Sequence, residues 1–164
     1  MDVITYNLPM TSRLLAELKQ TKPFPHPGQE ALVGILRTAA VLEHEINDAL
    51  KPYELTSTQY NVLRILRGAG AAGLCGREVG ERLVTPVPDV PRLLDRMTAA
   101  GLVARKRDPA DRRHVTARIT PKGLNLLDEV QPALEAIERR RIGSLGRDQI
   151  QALIRLLEAV RSGT

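Results

Sequence analysis

A chain of 164 residues, 43% of them hydrophobic, can bury a core as one small domain with helical extensions. Its only aromatics, Tyr6, Phe24, Tyr53 and Tyr60, are too few for a single-stranded nucleic-acid module that stacks bases, and its lone Cys75 excludes an intramolecular disulfide or a multi-cysteine zinc site. The net charge of +5 is uneven: residues 54–123 hold thirteen Lys/Arg against seven Asp/Glu, a net of +6, whereas the segments on either side are close to neutral, as expected of a polyanion-binding module between neutral helices.

Residues 1–28 read as an irregular arm, broken by Pro9, Pro23, Pro25 and Pro27, with room for a short helix over 12–20. Leu32, Ile35, Leu36, Ala39, Leu42, Ile46, Ala49 and Leu50 recur at helical spacing, which predicts a helix over 29–51 that Pro52 stops. Thr56 and Gln59 form a capping-box pattern and open a helix with Tyr60, Val62, Leu63, Ile65 and Leu66, ending at Gly68-Ala69-Gly70. A short helix fits 77–83. The next helix is predicted from Pro88 to Ala100, with Val90, Leu93, Leu94 and Met97 inward and Gly101 as the left-handed residue after its end.

The period then changes to two. Residues 102–107 and 114–119 read as paired strands around a polar turn at 108–113, with Val115, Ala117 and Ile119 alternating with Thr116 and Arg118. Thr120-Pro121 starts a long helix to about 141, running through Pro132, and a last helix spans about 147–161. The fold class is therefore mainly α with a small β-hairpin. Its expected organisation is an arm (1–28), an N-terminal helix (29–53), a winged helix-turn-helix domain (54–123) and C-terminal helices (124–164).

Three helices followed by a basic hairpin suit duplex DNA, because a narrow helix with a polar outer face enters the major groove while a wing reaches the adjacent minor groove or phosphates. Arg92 and Arg96 lie four apart on the outer face of the third of these helices. Arg105, Lys106, Arg107, Arg112 and Arg113 lie on or beside the hairpin. Thr85 and Asp89, at the approach to the third helix, complete the candidate DNA-binding set.

The stretch GREVGERLVTPVPDVPRLLDRMTAAGLVARKRDPADRRHVTARITPKG, residues 76–123, resembles the DNA-binding core of the MarR (multiple antibiotic resistance regulator) family. Its most specific parts are Asp111-Arg112-Arg113, similar to the family's wing tip, the LLDRMTAAGLVAR run at 93–105, and Ile119-Thr120-Pro121-Lys122-Gly123. Fainter similarity extends over most of 29–161. The resemblance implies that Arg113 enters the minor groove, oriented by Asp111, and that Arg92 and Arg96 meet phosphates or base edges. An arginine there is favoured by the negative potential of a narrow minor groove. It implies terminal helices that interlock two chains into a homodimer reading a pseudo-palindromic operator, and a repressor released by a small, often aromatic, effector. Effector contacts are expected near helix 29–51, Tyr60 and the start of helix 121–141. Relatives often carry Arg or Lys at position 86 and Ser or Thr at 91. Here both are proline; Pro91 cannot donate a backbone hydrogen bond, which bears on base specificity more than on fold.

A winged-helix module whose basic face meets an acidic protein is the alternative reading. An enzyme is not expected: the sequence offers no nucleophile with a base, no phosphate-binding glycine loop and no metal cluster, and the scattered His26, His44 and His114 lack ligand spacing, so neither cofactor nor metal is predicted. Cys75 reads as a partly buried, inert thiol. No apolar run approaches the roughly 20 residues needed to span a bilayer. The N-terminus does not read as a signal peptide, and a cytoplasmic location is expected.

Overall fold

The computed structural model describes residues 13–107 and 115–163. The chain falls into two units, residues 1–43 and 44–164. In the first unit, the short helix α1 (Arg13–Glu17) leads through the Pro23–Pro27 stretch into α2 (Pro27–Leu50), which begins two residues before the predicted start and continues into the second unit from His44 on. Pro27 occupies the first position of α2, where its missing N–H costs nothing. Glu17 and Arg37 form an exposed ion pair at 3.9 Å, worth little against solvent and salt.

The second unit holds the core. A 3₁₀ turn over Lys51–Tyr53 follows α2, and Glu54 takes the left-handed conformation before α3 (Ser57–Ala69). The predicted capping box is present: Gln59 N–H donates to Thr56 Oγ1 at 3.2 Å, and Thr56 N–H donates to Gln59 Oε1 at 2.9 Å. Then come strand β1 (Leu74–Cys75), helix α4 (Gly76–Arg82) and helix α5 (Val90–Ala99). The hairpin β2 (Val103–Arg107) and β3 (Val115–Ile119) and the long helices α6 (Pro121–Arg141) and α7 (Arg147–Ser162) complete the unit. The three strands are antiparallel in the order β1-β3-β2, with Arg105 opposite Ala117 and Arg107 opposite Val115.

The predicted inner faces make the core. Val62, Leu63 and Leu66 from α3 meet Val79, Leu93, Leu94, Met97, Val103, Ala117, Leu127 and Val130, all buried. The strand β1 is an addition to the predicted elements. Two residues carry no periodicity, and the strand exists only because its backbone pairs with β3. Helix α5 corrects a predicted boundary: it begins at Val90, not Pro88, because Asp89 acts as N-cap and accepts the Arg92 N–H at 2.9 Å.

Far from the hairpin, Glu45 of α2 accepts hydrogen bonds from Arg140 Nη2 (2.9 Å) and Arg141 Nε (3.0 Å) in the last turn of α6. The bond to Arg141, then that to Arg140, pulls the Glu45 carboxyl from its ordinary 4.5 down to about 2. A depressed carboxyl pKa stabilises the fold above the unfolded value and loses that contribution as pH falls through the folded one. Glu45→Gln is therefore expected to lower Tm at neutral pH, with the gap to the parent closing between pH 4.5 and about 2. Melting curves over that range decide it: a gap that does not change with pH means the two arginines do not hold a carboxylate.

Candidate nucleic-acid interface

Helix α5 presents its buried stripe, Leu93, Leu94 and Met97, to the core and leaves Pro91, Arg92, Asp95 and Arg96 exposed. Its C-terminus is tied in a Schellman motif: Gly101 has φ +73°, its N–H donates to Thr98 O at 2.9 Å, and Leu102 N–H donates to Met97 O at 3.0 Å.

Two segments singled out in the sequence meet here. Thr120 Oγ1, the N-cap of α6, donates to Gly101 O at 2.7 Å and accepts the Gly123 N–H at 3.1 Å; Lys122 Nζ donates to Ala100 O at 2.9 Å. The entry of α6 thus clamps the exit of α5 and fixes the hairpin between them. Arg105, on β2, pairs with Asp95 on the outer face of α5, joining hairpin and helix. That ion pair uses Arg105 in positioning and leaves Lys106 and Arg107, both exposed, as the cationic end of β2. At the other end of α5, the turn is held by the Val84 N–H donating to Asn61 Oδ1 of α3 at 2.9 Å.

An open cleft of about 520 Å³ lies between the start of α3 and α5. Arg92 and Arg96 line one side with Val87, Pro88 and Asp89; Thr56, Thr58 and Gln59 line the other. The threonines were not among the predicted contacts. The capping box marked the start of α3, but nothing in its spacing indicates that it faces the arginines across a cleft. Of the predicted residues, Arg92, Arg96 and Asp89 are brought together here, and Thr85 lies exposed in the turn before α5. Asp111, Arg112 and Arg113, on which the wing-tip expectation rests, lie outside the described residues. Cys75 is half-buried at the N-cap of α4, where its N–H donates to Glu78 Oε2 at 2.8 Å.

Helices α4 and α5 joined by a turn, packed on α3 and followed by a two-stranded wing, define a winged helix-turn-helix protein. The model of the MarR family matches residues 53–114. The chain is 32% identical over 119 residues to the uncharacterized HTH-type transcriptional regulator YkoM of Bacillus subtilis, covering 73% of this chain and 75% of that protein. Among solved structures, a MarR transcription factor from Planctomyces limnophilus is 34% identical with a TM-score of 0.65, covering 83% of this chain and 98% of that one. BpsR of Bordetella bronchiseptica, whose DNA binding is regulated by 6-hydroxynicotinic acid, is 26% identical with a TM-score of 0.72 over 85% of this chain and 98% of that one. The chain belongs to the MarR family of DNA-binding transcriptional regulators. Among the described residues, no helix is long and apolar enough to cross a membrane.

Proposed function

We propose that the protein acts as a homodimeric repressor that reads a pseudo-palindromic operator with α5 and the wing and is released by a small, aromatic effector. The observation that carries the dimer is α7. Its 16 residues include none that is buried, and Ile154, Leu156 and Val160 are at least half exposed. An amphipathic helix gains its stability by covering its apolar face, and Leu156 and Val160, four residues apart, share one side of α7 as exposed apolar surface. Two-fold pairing places two copies of α5 about one helical turn apart on duplex DNA. The part of α2 in the first unit likewise leaves Leu32 and Leu36 exposed, at 56% and 63%.

Effector release is supported by BpsR, a relative of matching fold whose DNA binding responds to a hydroxylated nicotinic acid. For an effector to reduce operator affinity a hundredfold, it must favour the non-binding conformation by about 2.7 kcal/mol. In this reading Arg92, Arg96, Lys106, Arg107 and Thr85 contact the duplex, Asp89 sets the start of the helix that carries the two arginines, and Asp111 orients Arg113 with Arg112 beside it.

Light scattering on Leu156→Asp tests the assembly. The parent is expected at twice the chain mass and the variant at the chain mass, with operator binding weakened in parallel; a monomeric parent overturns the dimer. Lys106→Ala and Arg107→Ala are each expected to flatten the slope of log affinity against log salt by about one unit, the signature of one lost phosphate contact. An unchanged slope, measured by fluorescence anisotropy over a salt series, means these side chains face away from DNA.

A further inference from the structure

The turn that leads into α5 is apolar where a DNA reader is usually polar. From Val84 to Pro91 the chain reads VTPVPDVP; Val84, Pro86, Pro88 and Pro91 are exposed there, and Val84, at 85%, is the most exposed large apolar side chain among the described residues. A single exposed valine needs no explanation. What sets these four apart is their position, at the leading end of the helix that carries Arg92 and Arg96.

Hydrogen-bonded readout is depleted at this end. The three prolines have no N–H to offer. The Val84 N–H is taken by Asn61 Oδ1 and the Arg92 N–H by Asp89 Oδ1, each at 2.9 Å. Pro88 and Val87 line the same cleft as Arg92 and Arg96, so apolar surface adjoins the cations that draw in a polyanion. The segment is also stiff: each proline fixes its own φ, and Asn61 anchors the turn to α3. A rigid surface loses little conformational freedom on binding.

The major-groove edges of the base pairs are polar except for one group, the 5-methyl of thymine. We propose that Val84, Pro86, Pro88 and Pro91 form an apolar reading edge that selects thymine at the half-site positions facing the leading end of α5, through its methyl group. This inference rests on the reading of α5 as the recognition helix. It assigns specificity at those positions to methyl contact, with Arg92 and Arg96 supplying affinity.

The first step uses the parent chain alone. Duplexes are first selected from a random pool by the full-length chain. Each half-site thymine is then replaced by deoxyuridine, which keeps every hydrogen-bonding group and removes only the methyl. At one or more positions in each half-site, binding by fluorescence anisotropy is expected to weaken roughly three- to fivefold per methyl, the value of burying one such group. Val84→Ser and Pro88→Ser are each expected to narrow the ratio of affinity for the thymine duplex to that for the deoxyuridine duplex. Equal binding of thymine and deoxyuridine duplexes overturns the methyl readout and leaves α5 as the recognition helix. A preference that persists in both serine variants shows that other residues read the methyl. Failure to enrich any duplex, with no salt-dependent binding, overturns the recognition-helix reading and the inference together.

Discussion

Arg113→Ala is expected to weaken operator binding by about 2 kcal/mol, roughly thirtyfold, while leaving Tm and assembly unchanged. β2 and β3 pair as far as Arg107 opposite Val115, and the base of that hairpin is clamped to α5; Asp111 to Arg113 fall between those two positions in the sequence. In the proposed reading Arg113 enters the minor groove, where the potential is most negative in narrow A·T-rich stretches. The dependence on this residue should be strong in this chain. Pro86 and Pro91 offer no N–H at the leading end of α5, and in the proposed reading that shifts charged and hydrogen-bonded recognition toward the wing. Asp111→Asn should cost less, since it removes orientation and not the cation. Anisotropy against a selected duplex, with Tm and light scattering as controls, reads all three quantities. Retained affinity in Arg113→Ala refutes the wing-tip assignment and moves recognition onto α5 alone.

The elements most legible in the sequence were those set by local chemistry. The Thr56–Gln59 box, the left-handed Gly101 and the Thr120-Pro121 start of α6 each solve a problem of unsatisfied backbone groups within a few residues, and each is found as expected. The start of α5 was misplaced because two local signals compete there. Pro88 suits a first helical position and Asp89 suits an N-cap, and the carboxylate decides the outcome by holding the Arg92 N–H. What could not be read was long-range. Strand β1 exists through pairing with β3 some forty residues on, and the Glu45 clamp joins residues 95 and 96 positions apart. In the candidate interface, sequence spacing put Arg92 and Arg96 on one face but counted Arg105 with the other wing cations. Only the fold shows Arg105 paired with Asp95, which makes it a brace between helix and wing.

The clamp between the entry of α6 and the exit of α5 predicts the largest effect on stability, at a residue that touches no DNA in any reading. Gly123 is buried in the first turn of α6, and a Cβ there would lie 2.6 Å from Leu102 O, 2.9 Å from Ile119 Cγ1 and 3.2 Å from Leu63 Cδ2. Two effects oppose each other in Gly123→Ala. Alanine is the better helix former by about 1 kcal/mol in a helix interior, and by less this close to the end. Against that, the nearest atom is a backbone carbonyl, which cannot swing aside as a side-chain tip can. Relieving the clash means moving α6 away from the exit of α5 and from β3, with strain of about 1–3 kcal/mol and loss of the Thr120 bonds to Gly101 and Gly123. The clash outweighs the propensity gain, and a net loss of about 2 kcal/mol, or roughly 4–8 °C in Tm, is expected. Because the moved helix carries the clamp, operator affinity should fall as well, even at temperatures where the variant is fully folded. Gly68→Ala, on α3 with nothing within 4 Å of the added methyl, is the control and should be neutral or slightly stabilising. If Gly123→Ala melts at or above the parent temperature, the close approach of α6 to Leu102 is not tight, and the coupling of wing to recognition helix through that contact fails with it.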